Sequence, residues 1–210
     1  RDASPAAAIR FVCHCDDCQA SALALGHPEA LDANGGTSAA LVDSSRLIID
    51  RGVEGLAAMR AAAIKSRPVL RWHCASCKTP LFNTYASSQR SFLSFLLANT
   101  DRSDCERLLG PSTGHVWKKF AVGDVSTLKN ANIASILARM IGRQITARLS
   151  GDYRNTPLFD GRTGKPIVTP RILTAAERAA AEAIIARIEL RPRAGGRCQL
   201  REILRYCFIG

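Results

Sequence analysis

Five of the eight cysteines in this 210-residue chain fall into two tight groups, and they are the residues best equipped for chemistry. Cys13, Cys15 and Cys18 form a C-x-C-x-x-C, and Cys74 and Cys77 form a C-x-x-C about sixty residues on. In an extended segment Cys13 and Cys15 leave the same face, while the two-residue gap to Cys18 suits a knuckle turn that brings a third sulfur round. Such spacing gathers three thiolates about one ion, and soft donors with a tetrahedral preference select Zn2+ among the common metals. Buried small hydrophobes or a redox pair explain a cluster this dense poorly, which leaves an iron–sulfur cluster as the main alternative. Five ligands do not close two tetrahedral sites. The count fits one open site on Cys13, Cys15 and Cys18, and one closed site on Cys74 and Cys77 that takes two more ligands from elsewhere.

The neighbours of these cysteines carry weaker signals. His14 and His73 abut ligand positions, and strand alternation turns them away from the metal side, where they could steady a ligand from behind. His27, in Gly26-His-Pro28, and His115, in Thr113-Gly-His-Val116, have no partner in sequence and are given no role. Asp16 and Asp17 read as solvated turn residues rather than general bases. Trp72 and Trp117 read as packing residues rather than a stacking platform for bases. Cys105, Cys198 and Cys207 lack ligand spacing and read as ordinary thiols.

The elements that must position the cysteines follow from periodicity. Ile9 to Cys13 reads as a strand running into the first cluster, with one helical turn at Ser21 to Leu25 after it. Asp32-Ala-Asn-Gly-Gly36 signals a turn, followed by strands at Ser38–Val42 and Arg46–Asp50. Val69 to His73 reads as a strand ending at the second cysteine pair, Thr79-Pro80 as a turn, and Ser91–Ala98 as a further strand. Leu56 to Ala63 is too rich in alanine to assign. Beyond Ser126, a plausible N-cap, Ile133, Ile136, Leu137, Met140, Ile141, Ile145 and Leu149 recur at helical spacing, interrupted by Arg139, Arg143 and Arg148. An extended stretch at Pro166 and Pro170 leads to Thr174 and Glu177, a capping box before an alanine-rich helix to about Leu190. Leu200, Ile203, Leu204, Cys207 and Phe208 repeat at helical spacing once more. The fold class is therefore mainly β, α+β overall: a zinc-binding β domain over residues 1–105 and a basic, mostly helical region over 106–210.

Composition narrows the function classes. With 47% hydrophobic residues the chain can build a core, and eight cysteines in 210 residues are too sparse for a small disulfide scaffold. The longest apolar stretch, Phe92 to Ala98, has strand length, so no membrane association is expected. The net charge of +11 is uneven: residues 1–104 carry 11 basic and 10 acidic side chains, and residues 105–210 carry 18 and 8. A nucleic acid or other acidic partner suits that charge but is not favoured, since no interleaved aromatic platform accompanies it. The opening Arg1-Asp2-Ala3-Ser4-Pro5 has no signal-peptide layout, and clustered cysteines suit a reducing cytoplasm.

At the cysteine blocks the sequence resembles the glutathione-dependent formaldehyde-activating enzyme and centromere protein V family. The likeness runs from about Arg10 to Asp104. It rests on the C-x-C-x-x-C after a short strand and on Cys74-Ala-Ser-Cys-Lys-Thr-Pro-Leu-Phe82, in matching order and spacing. The pattern at Asn83-Thr84, with Pro157-Leu-Phe-Asp160 and Thr169-Pro-Arg-Ile-Leu173, resembles an uncharacterised bacterial branch of that superfamily. The resemblance implies coiled β-sheets pinned by zinc, of the type called mammalian-suppressor-of-Sec-four-like, with a helical C-terminal extension. It implies an exchangeable, catalytic zinc on Cys13, Cys15 and Cys18, and a structural zinc on Cys74 and Cys77 shared with an upstream C-x-C. That upstream pair is absent here, so either the chain is cut short before Arg1 or the second site is half built. Gln19 stands where the family commonly has a basic residue, which removes one anion contact.

Two functions stay open at this level. The first is a zinc-dependent carbon–sulfur lyase acting on a small thiol adduct such as S-hydroxymethylglutathione, with glutathione as the thiol by resemblance. The second is a zinc-stabilised interaction module without chemistry, binding an acidic partner through its basic half. A redox protein using Cys74 and Cys77 is a third, weaker reading.

Overall fold

A computed structural model describes residues 7–60, 69–100 and 102–187. The helical repeat expected over Leu200 to Phe208, and with it Cys198 and Cys207, lies outside the described residues. In chain order the elements are β1 (Ile9–Cys13), α1 (Asp16–Ala24), β2 (Thr37–Val42), β3 (Leu56–Arg60), β4 (Val69–Cys74), β5 (Pro80–Tyr85), β6 (Leu93–Leu96), α2 (Arg102–Leu109), β7 (His115–Val116), α3 (Ile133–Ser150), β8 (Arg171–Ile172) and α4 (Ala175–Arg187). The fold is α+β, and its eight strands form one mixed sheet in the order β7-β1-β2-β6-β5-β4-β3-β8. The six inner strands pair antiparallel, and the two-residue strands β7 and β8 add in parallel at the edges.

The alternation of side chains along each strand divides the sheet into a core face and a site face. Register places Ala40 opposite Phe95, Phe95 opposite Phe82, Phe82 opposite Trp72, and Trp72 opposite Ala58. This row joins Leu158, Phe159, Cys105 and Leu109 in the main core. The indole of Trp72 satisfies its buried N–H by donating to Thr84 Oγ1 at 2.9 Å. One residue along, the opposite face shows Leu41 against Ser94, Ser94 against Asn83, Asn83 against Arg71, and Arg71 against Met59. That face is apolar at its flanks and polar in the middle. Ala131, two residues before α3, and Ile136 in its first turn cover one flank, packing on Ile9 and Leu41. The other flank lies under α1 and α4, with Met59 packed among Ala20, Leu25, Leu173 and Ala181.

Several local expectations need correction. The helix after the first cysteines is no single turn at Ser21 to Leu25: α1 begins at Asp16, with Asp16 and Asp17 in its first turn, where carboxylates favour the helix dipole. Arg46–Asp50 is not a strand, because both edges of β2 are already taken by β1 and β6, and Ser44–Arg46 forms a single 3-10 turn instead. Asn132, not Ser126, caps α3, its side-chain oxygen accepting from Ser135 N–H at 3.0 Å. The capping box of α4 forms as its sequence suggests: Thr174 Oγ1 accepts from Glu177 N–H at 3.2 Å, and Glu177 Oε2 accepts from Thr174 N–H at 2.8 Å. Those bonds, with Arg171, hold the Glu177 carboxyl down at about 2.

The apolar stripe of α3 does not bury as a whole. Ile136 and Ala147 face the protein, whereas Ile133, Leu137, Ile141, Ile145 and Leu149, four residues apart in turn, stay exposed. What ties the helix down is largely polar. Arg139 donates to the carbonyl of Ala8, Arg143 to that of Leu41 and Arg148 to that of Gln89. Gln144 both donates to Ser91 O at 2.7 Å and accepts from Ser91 N–H at 3.1 Å.

Candidate metal centre

Cys13 ends β1 on the site face, Cys15 is the N-cap residue of α1, and Cys18 lies in its first turn. The strand-to-helix junction does the work expected of a knuckle, because the backbone N–H groups of Cys18 and Gln19 turn back onto Cys15 O at 3.0 and 3.2 Å. The three sulfurs lie within 4.8 Å of one another. Cys13 and Cys18 are 3.8 Å apart, and Cys15 and Cys18 are 3.1 Å apart. A tetrahedral ion with Zn–S bonds of ~2.3 Å sets its sulfurs ~3.8 Å apart, so the first pair already has that spacing and the second needs to open by about 0.7 Å. The donor set and its spread fit zinc, and the same three thiols fit any soft, four-coordinate ion.

The sulfurs do not share charge equally without an ion. Cys18 is held well below the ordinary thiol range by hydrogen bonds from Cys13 and Cys15, with the Arg71 guanidinium adding to the effect, and burial opposing it. Cys13 is raised, by its hydrogen bonds to Cys15 and Cys18 and then by burial. Cys15 is pulled down by Cys13, yet Cys18 and burial together leave it raised. Cys18 is therefore the first thiolate of the three.

Arg71 joins the candidate site without belonging to either cysteine block. Its Nη1 donates to Cys18 Sγ at 3.4 Å, the side chain is buried, and among the described residues its Nε has no hydrogen-bond partner. The signal was present as an arginine inside the apolar run Val69-Leu-Arg-Trp, on the face opposite Trp72. Gln19 does not occupy an anion site: its Nε2 donates to the carbonyls of His14 and Phe120 and ties α1 to the loop after β7. Asp16 and Asp17 are not free turn residues either. Arg178 of α4 donates to Asp16 Oδ2 and to Asp17 Oδ1, both at 2.8 Å, which clamps the start of α1 beside the thiols.

His14 points away from the sulfurs, as alternation requires, and is fully buried. Its Nδ1 lies 3.1 Å from Asn34 O, which fixes that nitrogen as the donor, and its Nε2 then accepts from His115 Nδ1 at 2.9 Å. His115 thus has a partner that only the pairing of β1 with β7 reveals. Gly36 makes room for this pair: a Cβ there would lie 2.6 Å from His14 Cε1 and 2.5 Å from Val12 Cγ1. His73 is buried beside the carbonyl of Arg71, and burial lowers its pKa.

Cys74 and Cys77 form a knuckle of their own. The Cys77 N–H donates to Cys74 Sγ at 3.4 Å, and Lys78 closes the turn with a left-handed backbone, φ 60°. Each sulfur has a hydroxyl neighbour, Ser76 for Cys74 and Thr79 for Cys77. Among the described residues, Cys13, Cys15 and Cys18 are the one group of three metal-ligating side chains brought together, and no third ligand joins Cys74 and Cys77. His27 reaches this turn, its Nε2 donating to Cys77 O at 2.8 Å, while Glu29 holds its Nδ1. Cys105 is a core thiol beside Thr100.

The three thiols open into a cleft of about 280 Å³ over the site face of the sheet, bounded by α3 and the loop after β7. Thr37, Arg71, Asn83 and Ser94 supply its polar floor, and the rest is apolar. Among the described residues no helix is long and apolar enough to cross a membrane. No curated protein and no solved structure matches the chain. A sequence profile matches residues 2–170, from the strand before the three thiols to the approach to β8, and by that match the chain belongs to a family of unknown function, DUF6151.

Proposed function

We propose that Cys13, Cys15 and Cys18 hold a zinc ion with one open position, and that the protein makes and breaks carbon–sulfur bonds in small thiol adducts. The observation that carries this reading is the convergence of three thiols, at a spacing a tetrahedral ion can use, on the floor of an open cleft. When bound, zinc supplies Lewis acidity that favours the thiolate form of an incoming thiol near neutral pH. The chain supplies the rest. Three thiolates about a divalent ion leave one net negative charge, which the buried guanidinium of Arg71 offsets. Arg178 and the two aspartates keep Cys15 and Cys18 in place by fixing the first turn of α1. In the forward direction the substrate sulfur bonds to an aldehyde carbon, the C=O pair moves to oxygen, and that oxygen takes up the proton the thiol lost. The reverse splits the adduct into thiol and aldehyde. S-hydroxymethylglutathione carries the same type of carbon–sulfur bond, which is the link to the formaldehyde-activating family resembled by the cysteine blocks.

The basic half offers less to the alternative of an interaction module, because three α3 arginines donate to main-chain carbonyls of this same chain. The test is the exchange of 13C-labelled formaldehyde with thiols, followed by NMR, for zinc-loaded protein and for Cys15→Ser. Faster exchange with the loaded protein, lost in the variant together with about one metal equivalent, is the expected result. A tightly bound metal that leaves exchange at the solution rate overturns the proposal in favour of the module.

A further inference from the structure

We infer that the thiol this centre takes is a compact apolar one, aryl or branched alkyl, rather than a charged peptide thiol. The inference rests on the proposed open thiol-binding centre and names its substrate class. Above the sulfurs the cleft walls are Phe11, Leu41, Phe92, Trp117, Leu137 and Met140. None carries a charge, and the floor offers one guanidinium, already engaged with Cys18. Glutathione brings two carboxylates and an ammonium, and each charge drawn against these walls loses water; the Lys119 ammonium, 6.0 Å from the Trp117 ring centroid, can meet only a group that stays beside that ring. The volume, about 280 Å³, lies near the lower end of small-ligand clefts, which suits a short side chain over a long one.

Trp117 adds an independent sign. It is 54% exposed at the mouth of the cleft and has a left-handed backbone, φ 59°. A bulky residue in that region costs free energy, and an exposed indole recovers little of it in the free protein. Leu137, at 49% exposure, and Ile133, at 54%, stand at the same mouth on α3. An apolar ligand seated on the thiols covers part of this surface.

The experiment uses the full chain loaded with cobalt(II), whose sulfur charge-transfer and ligand-field bands report the fourth donor. Benzyl mercaptan and glutathione are titrated separately. The expected result is a spectral change with both, with benzyl mercaptan binding at least about tenfold more tightly. Trp117→Ala then weakens benzyl mercaptan by about three- to tenfold and leaves glutathione unchanged. Equal or tighter binding of glutathione overturns the inference while the open thiol centre stands. Bands that neither thiol perturbs show a closed centre and overturn the open-site reading with it, as does a protein that takes up no cobalt.

Discussion

Arg178→Ala probes whether the candidate metal centre is pre-ordered by a helix far along the chain. Arg178 bonds Asp16 and Asp17 at 2.8 Å each, and the three side chains are 22%, 29% and 11% exposed. A hydrogen bond to a charged group contributes ~1.5–3 kcal/mol when buried and an exposed ion pair ~0–1 kcal/mol. The Asp17 bond stands nearer the first figure and the Asp16 bond nearer the second. Against this, both carboxylates keep the dipole of the α1 N-terminus, worth ~0.3–1 kcal/mol each, and regain water in the variant. The net expected loss is about 1–2 kcal/mol. If all of it falls on holding Cys15 and Cys18 ready for an ion, the metal Kd rises by about 5- to 30-fold. Urea unfolding of the metal-free protein measures the first quantity, and competition with a chromophoric chelator the second. Arg178→Lys keeps the charge, loses the fork that reaches both carboxylates, and should fall between. Lost stability with unchanged metal affinity refutes pre-ordering, and no change in either refutes the clamp itself.

Other expectations are briefer. Gly36→Ala forces a Cβ to within 2.6 Å of Asp32 and His14 and should cost about 1–3 kcal/mol, whereas Gly142→Ala, where a Cβ meets nothing within 4 Å, should stabilise α3 by about 0.5–1 kcal/mol. Paired thermal melts decide both. Leu158→Ala empties a fully buried position in the main core and should lower the unfolding free energy by about 2–5 kcal/mol in denaturant titration. In the metal-free protein the depressed Cys18 thiol favours folding at pH above its lower folded value, and that gain is lost as pH falls through it; the raised Cys13 and Cys15 thiols oppose folding once pH passes the ordinary thiol range. Thiolate ultraviolet absorbance against pH checks this, and Arg71→Met should move the first thiol titration upward.

How much of this was legible beforehand varies with the range of the interactions. The three-thiol centre was readable because its geometry is local: two residues of strand, one turn of helix and the chemistry of sulfur bring Cys13, Cys15 and Cys18 together. The capping box at Thr174 and Glu177 was readable for the same reason. The partners Arg71, His115 and Arg178 were hidden because each reaches the centre through strand register or helix docking across 50 residues or more of sequence. Strand β5 was masked by Pro80, which reads as a turn residue yet opens the strand. The helical period of α3 was correct, but period alone does not say which stripe is covered. Here arginine and glutamine contacts to the sheet leave five large apolar residues outside. The proposed likeness to zinc-pinned sheets rests on the cysteine blocks.

Strands β7 and β8 have a consequence for how the chain is made. Six antiparallel strands are complete once residue 96 has left the ribosome, yet among the described residues the outer edges of β1 and β3 find their partners only in His115–Val116 and Arg171–Ile172. An open edge is a template for pairing with another chain. A nascent or recombinant fragment ending near residue 105 therefore presents two unprotected rims, and aggregation of that fragment is expected even where its core is sound. The late segments serve the early ones as selvedges, and solubility of the half that carries the three thiols is a property of the whole chain.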